Sequence, residues 1–152
     1  MSNRTIKIRI DHKEYEVADN QSVLNACLQA GVEVPYYCYH EALSVAGNCR
    51  MCLIKFEGAP KLAIACATPV KEGVHILTDD PDVAKARELV SEMFLINHPL
   101  DCPVCDQYGE CELQDYSYKY AKNRTRFREK KIHKENRAFG PHVLYWAERC
   151  IL

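Results

Sequence analysis

Hydrophobic and polar residues alternate near the start of the chain in a pattern that predicts two paired strands. Isoleucine takes every second position from residue 6 to residue 10, and the alternation resumes with Tyr15 and Val17 after the polar turn at residues 11–13. A period of two is typical of a strand with one buried face. The segment therefore predicts a β-hairpin.

A helix is predicted next, because the hydrophobic spacing becomes helical. Ser22 is a suitable N-cap, and Gly31 stands where a glycine commonly ends a helix. The apolar residues between them share one helical stripe, namely Val23, Ala26, Cys27 and Ala30. Three more strands are predicted at residues 52–56, 62–65 and 74–78. The order β-β-α-β-β-β predicts an α+β fold that resembles a β-grasp sheet packed on one helix.

A second unit is predicted to begin with a longer helix. Asp80 is a good N-cap, Pro81 suits the first helical position, and apolar residues recur at helical spacing as far as Asn97. Pro99 prevents the helix from continuing. Two short cysteine-containing turns follow, and residues 112–121 predict another helix. This unit is therefore predicted to be mostly helical.

Composition excludes several classes of protein. The chain has 152 residues, a hydrophobic fraction of 47% and a formal net charge of −1, which excludes wholesale disorder and a uniformly basic nucleic-acid binder. Residues 1–121 carry 11 Lys or Arg and 18 Asp or Glu, whereas residues 122–152 carry 9 and 3. The basic stretch at 122–137 has little aromatic interleaving, which favours a solvated or subunit-facing surface. No apolar run approaches the ~18 residues that span a bilayer, and the N-terminus has no signal-like apolar region.

Nine cysteines give the composition its chemical information. Without a secretory signal a reducing compartment is expected, where cysteines more often bind metals or carry out redox chemistry than form disulfides. One set has the pattern C-x10-C-x2-C-x13-C and consists of Cys38, Cys49, Cys52 and Cys66. The C-x2-C turn can direct two thiolates to one centre, and Gly47 before it allows backbone N–H groups to point inward.

Iron–sulfur and zinc are the alternatives for this first set. A structural zinc site usually has two C-x2-C pairs, whereas this set has one pair flanked by long and unequal gaps. The pattern is closer to that of plant-type ferredoxins, with a longer first gap. The spacing therefore favours a binuclear iron–sulfur centre, with zinc as the alternative.

The second donor set has the pattern H-x3-C-x2-C-x5-C and consists of His98, Cys102, Cys105 and Cys111. Such a short segment cannot form a hydrophobic core, so a metal is expected to organise it. Three thiolates and one imidazole suit either Zn²⁺ or a [4Fe–4S] cluster. Spacing alone leaves both open, and the neighbouring iron–sulfur candidate favours the cluster.

The two donor sets lie in the strings PYYCYHEALSVAGNCRMCLIKFEGAPKLAIACATPV and LINHPLDCPVCDQYGECELQD. In this order and at this separation, they resemble the N-terminal region of the iron–sulfur-rich large subunit of NADH:quinone oxidoreductase (complex I). The family comprises the G subunit of the bacterial enzyme and the 75-kDa subunit of the mitochondrial one. The resemblance covers essentially all 152 residues.

The resemblance implies a [2Fe–2S] cluster on the first four cysteines and a [4Fe–4S] cluster on His98 and its three cysteines. It implies a [2Fe–2S] ferredoxin-type β-grasp domain at 1–79 and a His(Cys)3-ligated [4Fe–4S] domain at 80–121. A basic connecting segment at 122–145 and the start of a further [4Fe–4S] domain at 146–152 would follow. Cys150 matches the first cysteine of the family's next motif, whose other cysteines are absent. A third cluster is thus expected only in a longer chain, and this chain is interpreted as a fragment.

The resemblance further implies an electron-relaying subunit of a proton-translocating NADH dehydrogenase, between NADH or flavin and quinone. No nucleotide-binding glycine motif, acid–base pair or nucleophile set is present, so no complete active site is expected. The implied partners are other peripheral-arm subunits, especially the flavin- and NADH-binding subunit, without nucleic acid or a membrane span. The implied location is cytoplasmic, on the inner face of the cell membrane.

Two other functions remain as alternatives. The first is an iron–sulfur diaphorase subunit of an NAD-linked hydrogenase or formate dehydrogenase, since those enzymes share both donor sets. The second is a zinc-binding interaction module. Cys27, on the inner stripe of the first predicted helix, is interpreted as a core residue and not as a ligand.

Overall fold

The computed structural model describes residues 4–122 and 125–151, and the chain divides into two compact units between Arg87 and Glu88. In the described part of the first unit, a sheet packs on a helix, α1, which covers Val23–Gln29. The strands of the sheet are β1 (Thr5–Ile10), β2 (Lys13–Ala18), β3 (Leu53–Phe56), β4 (Leu62–Ile64) and β5 (His75–Leu77).

The sheet has the strand order β2-β1-β5-β3-β4. β1 and β5 run parallel at its centre, and the other neighbouring strands are antiparallel. Antiparallel neighbours need only short turns, whereas the parallel pair requires the long connection that carries α1 and the cysteine loop. This topology therefore places a long irregular segment, residues 36–52, between the helix and β3.

The core of the first unit forms between one face of the sheet and α1. The three isoleucines of β1 are 2–3% exposed and alternate with exposed neighbours, as their spacing predicts. α1 buries Val23, Leu24, Ala26 and Cys27 against them. Ser22 accepts the backbone N–H of Asn25 at 3.2 Å, which is the predicted N-cap. The β-grasp arrangement expected from the strand order is confirmed.

A turn residue ties the first hairpin to the central strand. Asp11 adopts a left-handed backbone, with φ at 52°, and its carboxylate accepts hydrogen bonds from the N–H and the hydroxyl of Thr78, both at 2.6 Å. Two short hydrogen bonds to a charged acceptor offset the strain of that conformation. The β1–β2 turn is thereby fixed to the residue that follows β5.

The described part of the second unit contains helices and one hairpin. α2 (Pro81–Leu95) crosses the division between the units, and α3 is Glu112–Tyr120. Asp80 accepts the N–H of Asp82 at 2.8 Å, so it caps α2 as predicted. Among the described residues, no helix is both long and apolar enough to cross a membrane.

The hairpin of β6 (Arg137–Phe139) and β7 (Val143–Tyr145) was not predicted from the sequence. Both strands have three residues, and every one of them is exposed. With no buried face, the segment has no inward–outward alternation to detect. The rest of the described second unit consists of helices, two short 3₁₀ turns and irregular segments, the longest of which leads from α3 to β6. The expected fold class is confirmed.

We predict that Ile76→Ala destabilises the first unit. Ile76 is fully buried in β5, and replacing a buried isoleucine by alanine costs about 2–5 kcal/mol through lost burial and the remaining cavity. Urea unfolding followed by far-UV circular dichroism should show a lower midpoint. Leu43→Ala is the control, since Leu43 is 69% exposed and should unfold like the original chain. Equal midpoints for Ile76→Ala and the control would contradict this account of the core.

Candidate metal centres

The first donor set lies at one end of the β-grasp unit. Cys38 and Cys49 belong to the irregular loop, Cys52 directly precedes β3, and Cys66 lies in a 3₁₀ turn after β4. Cys49, Cys52 and Cys66 are 6%, 1% and 2% exposed, whereas Cys38 is partly exposed. A backbone hydrogen bond of 3.0 Å from Ala65 to the carbonyl of Cys52 joins the two strand ends. Thiols distant in sequence are thus brought into one largely buried site.

Backbone amides surround the sulfur of Cys38. The N–H of Cys49 lies 3.4 Å from it, and the N–H groups of Gly47 and Asn48 also donate to it. Burial raises the pKa of the Cys38 thiol, but these donors together outweigh it and leave the pKa below its ordinary value. Amide donors that converge on one sulfur stabilise negative charge there. The loop is therefore suited to hold a thiolate.

The pKa of the Cys66 thiol responds to the other three cysteines of the set. Burial, followed by a hydrogen bond with Cys52 and the charges of Cys52, Cys38 and Cys49, raises its pKa to about 12. Burial also raises the pKa of Cys49, although amides of Met51, Cys38 and Tyr37 act against it. Four thiolates cannot share a buried site without a cation to compensate them. The donor chemistry therefore fits an iron–sulfur group that binds thiolates and accepts amide hydrogen bonds.

Two left-handed residues give the loop its shape. Gly47 has φ at +63°, and its Cβ position would lie 3.4 Å from Cδ1 of Ile64. Arg50, between the two cysteines of C-x2-C, has φ at 58°, a conformation that costs a non-glycine residue about 1–2 kcal/mol. With this backbone course, the N–H groups of residues 47–49 point toward the sulfur of Cys38, as Gly47 predicts.

The second donor set begins just after α2. Cys102 starts a 3₁₀ turn, the N–H of Cys105 donates to the carbonyl of Cys102 at 3.1 Å, and Cys111 is the N-cap of α3. All three cysteines are partly buried. Leu100 has φ at 57°, so this loop also contains a left-handed non-glycine residue between candidate ligands. The turn brings Cys102 and Cys105 together, as a C-x2-C spacing requires.

His98 has the properties expected of a metal ligand. Burial lowers the pKa of its imidazole, so the neutral form that binds metals is favoured at neutral pH. Its Nδ1 atom is buried and has no hydrogen-bond partner within the described part of the chain. Buried polar atoms are almost always satisfied. An orphaned ring nitrogen here fits an imidazole whose partner is a metal group.

Cations of the basic segment, residues 122–137, contact this unit. Arg126 binds both carboxylate oxygens of Glu92 on α2 through Nε at 3.0 Å, and Lys131 donates to backbone carbonyls at the end of α2. Beyond that segment, Arg149 pairs with Asp101 at 2.7 Å and lowers the pKa of that carboxyl group. Part of the basic segment therefore contacts its own unit, whereas the sequence favoured a solvated or subunit-facing surface for it.

Sequence reasoning missed Lys131 and Arg149. A signal for Lys131 does exist, because α2 has no basic residue in its last turn and a basic segment follows later.

Cys27 is fully buried, and burial raises its pKa to about 12, which suits a core thiol. Within the described residues, no three His, Cys, Asp or Glu side chains converge tightly enough to hold a single metal ion.

Family models match both halves of the chain. One described as a 2Fe-2S iron-sulfur cluster binding domain matches residues 3–81, and one described as the NADH-ubiquinone oxidoreductase-G iron-sulfur binding region matches residues 87–126. The first match covers more than half of the chain, so the chain belongs to the family of 2Fe-2S iron–sulfur cluster binding domains. The expected cofactors, one [2Fe–2S] and one [4Fe–4S] cluster, are confirmed by these matches.

Curated relatives confirm the resemblance seen in the sequence. The G subunit of NADH-quinone oxidoreductase from Rickettsia felis is 52% identical over 146 residues, which are 96% of this chain and 22% of that protein. The NADH-ubiquinone oxidoreductase 75 kDa subunit of Reclinomonas americana is 49% identical over 96% of this chain and 21% of that protein. The chain thus spans about a fifth of the length of these relatives.

A solved structure confirms the fold. A chain in the crystal structure of an NAD+-reducing [NiFe]-hydrogenase in the H2-reduced state superimposes with a TM-score of 0.86 at 26% identity. The similarity covers 97% of this chain and 62% of that one.

We predict that Gly47→Ala weakens the first centre. A Cβ at this left-handed position costs about 1–2 kcal/mol and disturbs the N–H that donates to Cys38. Anaerobically purified Gly47→Ala should contain less of the [2Fe–2S] signal in electron paramagnetic resonance (EPR) spectra. Gly58→Ala is the matched control, because Gly58 also has a positive φ, at +74°, but no atom within 4 Å of its Cβ position. An equal loss of signal in both variants would contradict a specific role for the Gly47 amide.

Proposed function

We propose that this chain is an electron-transfer module whose [2Fe–2S] cluster is bound by Cys38, Cys49, Cys52 and Cys66. The observation that carries the proposal is the group of four thiols, three of them almost completely buried and the fourth surrounded by amide donors. These residues lie in the segment matched by the 2Fe-2S family model. The cysteine spacing and the chemistry of the thiol group therefore suggest the same four ligands.

The second half of the proposal assigns the [4Fe–4S] cluster to His98, Cys102, Cys105 and Cys111. The orphaned ring nitrogen of His98 and the turn between Cys102 and Cys105 support this assignment. The matched region at 87–126 includes all four residues. The proposed domains accordingly remain 1–79 for the first centre and 80–121 for the second, followed by the basic segment at 122–145 and by residues 146–152.

When bound, such clusters supply one-electron oxidation and reduction without making or breaking bonds in a substrate. The chain's own residues would bind such a cluster, shield it from water and hold it in a fixed orientation. The burial of Cys52 and Cys66 keeps water from the sulfur atoms, and the amides of residues 47–49 compensate negative charge. The protein thereby controls the potential through ligand charge, hydrogen bonding and burial.

The wider role that we propose is that of the G subunit of NADH:quinone oxidoreductase, relaying electrons from flavin toward quinone. The roughly 50% identity to proteins with that name favours it over the hydrogenase-type alternative, for which the matching structure is 26% identical. The proposed partners are peripheral-arm subunits, above all the one that binds flavin and NADH. The proposed location is the cytoplasmic face of the membrane that holds the complex.

Metal and sulfide analysis tests the proposal directly. Anaerobically purified chain should be brown and contain about six iron atoms and six acid-labile sulfides, the sum for the two cluster types. Zinc without sulfide would instead support the interaction-module alternative and overturn the electron-transfer function.

We predict that Cys52→Ser removes the binuclear centre. The thiol is 1% exposed beside Cys66, and a serine hydroxyl is a much poorer ligand for iron. Low-temperature EPR should show loss of the [2Fe–2S] signal and retention of the signal of the [4Fe–4S] (cubane) cluster. Residues 36–66 should also become more susceptible to proteolysis, because metal binding is coupled to folding.

The control for this variant is Cys27→Ala, which changes a buried cysteine outside the donor set. It should retain both signals. An unchanged binuclear signal in Cys52→Ser would refute the ligand assignment.

We predict that His98→Cys retains a cubane cluster at a lower reduction potential. A thiolate in place of a neutral imidazole adds one negative charge, which disfavours the addition of an electron. An EPR-monitored redox titration measures the shift. His142→Cys, at an exposed position, is the control and should leave the potential unchanged. No shift, or an upward shift, in His98→Cys would count against His98 as a ligand.

A further inference from the structure

The ammonium group of Lys131 occupies an unusual position at the end of α2. Its Nζ atom lies 2.8 Å from the carbonyl oxygen of Leu95, 3.1 Å from that of Ile96 and 2.7 Å from that of His98. A protonated lysine has three N–H donors, and a neutral amine has only two. Three carbonyl acceptors therefore match the charged form of the side chain.

The carbonyl of Leu95 is the last one of the 15-residue helix α2, and the carbonyls of Ile96 and His98 follow it in the turn after the helix. The aligned peptide dipoles place about half a negative charge at such a C-terminus. α2 has no basic residue in its last turn, so Lys131 supplies the missing cation from 33 to 36 residues further along the chain. Lys131 is thus the cation that contacts the end of α2 directly, next to His98.

The positive charge of Lys131 is not cancelled by an acidic neighbour. Among the residues that the structure describes, no carboxylate pairs with its ammonium group. The acidic residue in the same loop, Asp101, is already paired with Arg149 at 2.7 Å. The side chain of Lys131 is also partly buried, which weakens screening by water.

We propose that Lys131 is a positioning residue for the second centre, which fixes the backbone of His98 and raises the reduction potential of the cluster by its charge. The inference rests on the proposed function, because it requires His98 to be a ligand. Reduction adds one negative charge to a cluster, so a fixed cation nearby stabilises the reduced state. The three hydrogen bonds also keep the ligand's backbone in place during that change of charge.

The segment that carries Lys131 is held independently of its ammonium group. The N–H of Ile132 donates to Oδ1 of Asn97 at 3.1 Å, and Arg126 is bound to Glu92. Removing the lysine charge should therefore leave the segment attached to α2. This makes a substitution at residue 131 a test of charge and local hydrogen bonding.

The experiment is a redox titration of the anaerobically purified full chain, followed by EPR. Lys131→Met removes the charge at similar length, and Lys131→Arg keeps a cation. Lys130→Met is the matched control, because it removes one charge from an exposed neighbouring position. We expect the [4Fe–4S] potential to fall in Lys131→Met, to stay close to the original in Lys131→Arg and to be unchanged in Lys130→Met. The [2Fe–2S] potential should be the same in all three.

The [4Fe–4S] content serves as a second measurement, in case this cluster assembles poorly in Lys131→Met. Loss of the cubane in Lys131→Met with retention in Lys131→Arg supports the proposal. An unchanged potential in Lys131→Met, an equal fall in Lys130→Met, or equal cubane loss in both residue 131 variants would overturn it. These outcomes differ from failure of the proposed function, which would appear in the original chain as an absent cubane or in His98→Cys as an absent shift.

Discussion

Compensation of negative charge on closely spaced sulfur atoms is the constraint on which the first unit depends. Three of its four donor thiols are almost completely buried, and the raised pKa of Cys66 reflects both that burial and the charges of its neighbours. The chain supplies part of the compensation through amides at Cys38, and a cluster's iron supplies the rest. The irregular course of residues 36–52 follows from this requirement, because a regular strand or helix would use its own amides internally.

The second unit meets a related requirement with different means. Its candidate donor cysteines are less buried than those of the first unit, and side-chain cations supply a larger share of the charge compensation. Arg149 binds the carboxylate before Cys102, and Lys131 binds the carbonyls around His98. In the proposed ligand set, a neutral imidazole carries less negative charge than a fourth thiolate, and the ammonium group of Lys131 lies beside it. As proposed, both raise the reduction potential of the second centre.

The elements predicted from the sequence are those with a buried face. The alternation in β1 and the stripe of α1 follow directly from their burial, whereas the exposed hairpin at residues 137–145 has no such pattern. The C-x2-C spacings predict local turns, and the turn between Cys102 and Cys105 is present, whereas the ligand sets built on them stay predictions. The contact of Lys131 with α2 was not predicted, because the lack of a basic residue in the last turn of α2 indicates that a cation is missing there but not which residue supplies it.

The unequal burial of the four thiols in the first unit bears on how a centre can be installed. Cys38 is partly exposed to an external carrier that delivers a preformed cluster to the folded domain, whereas Cys52 and Cys66 are almost completely buried. Delivery must therefore precede closure of residues 36–52 or wait for that loop to open. Installation of a cluster is thus coupled to a rearrangement of this loop, whether during folding or after it.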